Sequence, residues 1–71
     1  MKAPLRQRFG KRIKDLRKER GISQEALADK CGYTRAYMSR IETGAARLSI
    51  DAIEVLGTAL RMPLSEMFKG L

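Results

Sequence analysis

The 71-residue sequence contains no histidine and a single cysteine, Cys31. One cysteine excludes an intrachain disulfide, which fits a reducing cytosol, and without imidazoles a zinc site lacks ligands. No apolar run approaches the roughly 20 residues that span a membrane, and no secretory h-region follows the start. There is no glycine-rich phosphate loop and no grouping of nucleophile, base and orienting residue, so neither catalysis nor a cofactor is expected. Strand-like alternation of apolar and polar residues is missing throughout.

Acidic residues are also scarce where the basic ones concentrate. Residues 1–20 carry nine basic side chains against only Asp15 and Glu19, whereas residues 21–71 carry six of each sign. The formal net charge of +7 therefore belongs to the first helix and its lead-in, and it points to a polyanion as partner. An apolar content of 44% marks a globular chain, here one small domain near the lower size limit for a single core.

What the chain does have is punctuation. Leu5, Phe9, Ile13 and Leu16 recur at helical spacing after Pro4, a stripe that ends near Gly21. One pattern then occurs three times: Ile22-Ser23, Tyr33-Thr34 and Leu48-Ser49 each place an apolar residue before a capping hydroxyl. Five residues after each apolar position come Leu27, Met38 and Ile53, the spacing of a hydrophobic staple. Helices are thus predicted over about 24–31, ending at Gly32, over 35–43, ending at Gly44, and over 50–60. A last helix follows Pro63 and contains Leu64, Met67 and Phe68. The expectation is an all-α domain of five short helices, with Cys31 and the methionines in packing roles.

Only Gly32, Tyr33 and Thr34 join the second and third helices, so the two must cross steeply. The run "SQEALADKCGYTRAYMSRIETG" closely resembles the DNA-binding helix-turn-helix of the phage repressor and Cro superfamily, the XRE type. Ser23-Gln24, Ala28, Gly32 and the Ile41-Glu42-x-Gly44 ending carry the resemblance, which extends over nearly the whole chain. It implies a five-helix repressor-like domain over 1–71, with the helix-turn-helix at about 24–43.

At about 100° per residue, the third helix divides into two arcs. Met38, Ile41 and Glu42 lie on one, and Arg35, Ala36, Ser39, Arg40 and Thr43 on the other, with Tyr37 on the flank. Arg35 and Arg40 suit bidentate contacts to guanine, Ala36 suits a thymine methyl, and Ser39 is a further base candidate. Tyr37, Thr34 and Thr43 suit the phosphate backbone.

The resemblance adds roles that spacing alone does not supply. It implies backbone contacts from Gln24, which also stands where it would brace Arg35 from behind, and from Arg47. It implies a structural ion pair between Arg17 and Glu42, and a homodimer joined through Leu64 and Phe68, with Val55 and Ala59 as lesser candidates. Pro63 departs from the family's capping hydroxyl, which weakens the placement of that surface. Two-fold pairing would set the recognition helices about 34 Å apart on a palindromic operator.

The expected partners are double-stranded DNA, a second copy of the chain and RNA polymerase, with no membrane and no small-molecule ligand. The expected location is the cytoplasm. "TRAYMSRIETGAARLSI" looks much like the controllers of restriction–modification systems, and phage-type or toxin–antitoxin repressors remain alternatives. A protein–protein adaptor is the rival class, opposed by the cationic face that Arg35 and Arg40 keep.

Overall fold

The computed structural model describes residues 3–71, so the share of basic charge contributed by Lys2 lies outside it. Five helices follow one another: α1 (Leu5–Glu19), α2 (Gln24–Cys31), α3 (Arg35–Thr43), α4 (Ile50–Leu60) and α5 (Leu64–Met67). Among the described residues there is no strand.

Local chemistry starts three of these helices. The hydroxyls of Ser23, Thr34 and Ser49 accept from the backbone N–H groups of Ala26, Tyr37 and Ala52, each at 3.0 Å. Each bond satisfies one of the donors that a helix start leaves unpaired. The stapling residues Ile22, Tyr33 and Leu48 are half-buried and packed against the core. At the far end of α2 the Tyr33 N–H reaches back to the Ala28 carbonyl at 2.9 Å, closing the turn over left-handed Gly32.

The core joins Phe9, Ile13 and Leu16 of α1 to Leu27 and Ala28 of α2, Met38 and Ile41 of α3, and Leu56 and Leu60 of α4. Met67 closes it from α5. The α1–α3 contact depends on a residue that periodicity does not flag. Gly10 sits in mid-helix, and a Cβ there would collide with the backbone carbonyl of Ile41. Gly44 meets α1 just as closely. Its φ is +82°, and a Cβ would stand 2.7 Å from the Cα of Gln7. Both glycines let two backbones approach where side chains would hold them apart.

Three features differ from the periodic reading. Leu5 heads the apolar stripe of α1 yet is 51% exposed, because it lies a full turn beyond the last layer of the core. Cys31 is half-buried at the edge, and loss of solvent raises its thiol pKa. Arg61, with φ +54°, ends α4 in the left-handed conformation usually taken by glycine, directly before Met62 and Pro63.

Candidate nucleic-acid interface

The third helix is held from behind by a buried polar cluster. The Arg17 Nε donates to Glu42 Oε2 at 2.8 Å, and a second guanidinium nitrogen donates to Glu42 Oε1 at 3.1 Å. The remaining end of the guanidinium donates to the Ile22 carbonyl at 2.9 Å, in the turn before α2. Gln24 Nε2 then donates to Glu42 Oε1 at 3.2 Å. One carboxylate on α3 thus receives donors from α1 and from the first turn of α2. Both members of the ion pair are buried, so their charges are compensated by this two-pronged geometry and not by water.

This placement corrects one expectation. Gln24 is committed to Glu42, and among the described residues no hydrogen bond joins it to Arg35. The second hydrogen of the Gln24 amide remains available at the start of α2, where free backbone N–H groups favour an anion.

The opposite arc of α3 faces solvent. Arg35, Ala36, Arg40 and Thr43 are exposed, and Ser39 is half-buried. The Thr43 hydroxyl donates to the Arg40 carbonyl at 3.3 Å, and the Thr34 hydroxyl accepts from the Tyr37 N–H. Thr34 therefore caps the helix with a lone pair and keeps its O–H to donate outward. Tyr37 packs edge-on against the ring of Tyr33, with centroids 4.9 Å apart and planes at 85°, a favourable arrangement that fixes the ring. Burial, and then the neighbouring Tyr37 and Cys31, raise the pKa of Tyr33, so its hydroxyl keeps its proton. Arg47 is exposed in the α3–α4 loop.

Helices α2 and α3 are thus joined by Gly32, Tyr33 and Thr34 alone, and α3 turns a cationic arc to solvent. The family model described as a helix-turn-helix domain matches residues 8–67.

This chain belongs to the helix-turn-helix family.

Individual relatives agree with that assignment. The helix-turn-helix protein is 38% identical over 65 residues to the control protein C.MunI of Mycoplasma sp, covering 90% of this chain and 88% of that one. Among solved structures, the restriction-modification controller protein C.AhdI from Aeromonas hydrophila superimposes with a TM-score of 0.83 at 39% identity. That match covers 87% of this chain and 90% of C.AhdI. The tetramer of the restriction-modification controller C.Esp1396I in complex with its natural 35 base-pair operator gives a TM-score of 0.86 at 31% identity. There the match covers 96% of this chain and 90% of that one.

The basic first helix is less uniform than its composition suggests. Arg6 Nε donates to the Gly44 carbonyl at 3.0 Å, beside the α3–α4 loop. Arg12 instead donates to the Glu66 carbonyl at 2.6 Å, and Arg8 donates to the carbonyls of Ala3 and Leu71. Arg8 and Arg12 lie about 200° round α1 from Gly10, the residue that touches α3. They serve the seam with α5 and the C-terminal carbonyl of Leu71 and point away from α3. Lys11, paired with Asp15 at 2.9 Å, is exposed, as are Lys14 and Lys18.

At the other end of the molecule, Phe68 stacks on Phe9 with ring centroids 5.1 Å apart and is half-buried, so part of its surface is used within the protomer. Leu64 is 46% exposed. Val55 and Ala59 are half-buried on α4. No helix among the described residues is long and apolar enough to cross a membrane.

Proposed function

We propose that this protein is a sequence-specific, double-stranded DNA-binding transcriptional regulator that acts as a homodimer on a palindromic operator. The observation that carries the reading is the division of α3. Its inner side is pinned by Glu42 to two other helices, while Arg35, Ala36 and Arg40 stand in solvent on a rigid frame. A guanidinium presented from the first turn of such a helix matches the two acceptors of guanine in the major groove. Arg35, Ala36, Ser39 and Arg40 would read bases. Thr34, Tyr37, Thr43, Arg47 and the free hydrogen of Gln24 would hold phosphates.

The likeness to C.MunI, C.AhdI and C.Esp1396I favours the restriction–modification controller among the regulator types. RNA polymerase is then the partner through which activation would run. A neighbouring gene for an endonuclease or methyltransferase supports this subfamily, and its absence argues for a phage-type repressor.

The test is selection of bound duplexes from a random pool, repeated with Arg35→Ala. Loss of one preferred base per half-site, at about 1–3 kcal/mol, is expected. Unchanged base preferences in the variant would refute the base-reading role.

A further inference from the structure

Two guanidiniums of α1 reach the C-terminal end of α3 from one face of their helix. At about 100° per residue, Arg6 and Arg17 both lie within roughly 40° of Gly10, where α1 and α3 touch. Arg17 is buried and neutralised by Glu42. Arg6 is exposed, and its Nε donates at 3.0 Å to the Gly44 carbonyl, which carries no charge. Among the described residues no acidic side chain pairs with Arg6, and its two terminal nitrogens make no hydrogen bond. Both arginines hold α3, but only Arg6 keeps its charge and its outer donors unused.

That charge is fixed beside the outer arc of α3. Gly44 directly follows Thr43, the last residue of that arc, and Arg47 is exposed three residues further on. The N–H groups of Ala45 and Ala46 both donate to the Arg40 carbonyl, at 2.8 and 3.0 Å, which ties the intervening loop to α3. Arg6 and Arg47 line one depression, whose other lining residues, among them Leu5, Phe9, Ile53 and Phe68, are all apolar. Two like charges with no acid between them repel, and an anion placed across them relieves that repulsion.

We propose that Arg6 is a further phosphate-binding residue of this regulator, taking a backbone phosphate of the bound duplex beside the one held by Arg47. The inference rests on the DNA-binding reading above and extends it to α1. An arginine donates to phosphate in a planar fork. Because Gly44 already holds Nε, the guanidinium is ordered before DNA arrives, and less side-chain entropy is lost on binding. Such a contact carries no sequence information. It sets the register of α3 and its following loop on the duplex.

Salt titration of affinity for the selected duplex tests this, comparing wild type with Arg6→Gln, Arg6→Lys and Arg8→Gln, each below its melting temperature. Each phosphate neutralised contributes about 0.9 to the slope of log affinity against log salt. Arg6→Gln should lower the slope by about 1, and Arg6→Lys, which keeps the charge but has no Nε, should restore most of it. Arg8→Gln should match wild type. A wild-type slope in Arg6→Gln would overturn the inference while sparing DNA binding, since Arg6 would then serve the Gly44 carbonyl alone. A slope lowered as far in Arg6→Lys would also overturn it, because the lost hydrogen bond to Gly44 would be the cause. An equal loss in Arg8→Gln would do the same, by making the effect one of overall charge. A wild type with no salt-dependent affinity for any duplex would remove the DNA-binding reading itself.

Discussion

At the scale of single residues, two charged side chains on α3 differ completely in role. Glu42 is buried and receives three side-chain donors, whereas Arg35 is exposed. Removing Glu42 strands the Arg17 guanidinium in the protein interior, a loss of about 3–5 kcal/mol for a buried pair. For a domain this small, thermal melts of Glu42→Ala should shift downward by more than about 10 °C. Arg35→Ala should melt within a few degrees of wild type and fail only in DNA binding. Equal melting of the two variants would remove the structural assignment of Glu42. The Arg17–Glu42 pairing was legible only through the family resemblance. Nothing local to either residue announces a partner 25 positions away.

Individual helices show where short-range chemistry suffices. Ser23, Thr34 and Ser49 each bond a backbone N–H three residues on, so their capping role is readable from the chain itself. Gly10 is the opposite case. Helix propensity says that Gly10→Ala should stabilise α1 by about 1 kcal/mol. The carbonyl of Ile41 occupies the space a methyl would need, and backbone cannot swing aside as a side chain can. We expect Gly10→Ala to destabilise by about 1–3 kcal/mol, as overpacking does, measured by urea unfolding. A stabilised variant would show that α1 and α3 can part without loss. Arg61 belongs at this scale too. Its left-handed backbone ends α4 where the sequence offers no glycine, and only the position of Pro63 hinted at a break.

For the whole molecule, charge has to be read with geometry. The chain carries +7 overall, but Arg8 and Arg12 are engaged with backbone carbonyls at the α5 seam. DNA affinity should fall steeply with salt, the slope counting the phosphates neutralised. Arg47→Gln should reduce that slope by about 1, while Arg8→Gln should leave it almost unchanged. Equal reductions would show that the whole of α1 attracts the duplex, as composition alone suggests. The apolar depression lined by Leu5, Phe9, Ile53 and Phe68 is likewise a property of the assembled molecule, since it joins residues from α1, α4 and the end of α5.

The sequence by itself determined the starts of α2, α3 and α4 and the stops of α2 and α3, because caps, staples and left-handed glycines act within about five residues of one another. It also divided α3 into an inner and an outer arc, which follows from helical period alone. Tertiary structure decided what each arc meets. It set Gln24 on Glu42, turned Arg8 and Arg12 toward α5, and demanded bare backbone at Gly10. It also left Leu5 in solvent despite its place in the apolar stripe of α1. A periodic pattern specifies only the direction in which a side chain points. Whether it meets protein or water there depends on elements distant in the chain.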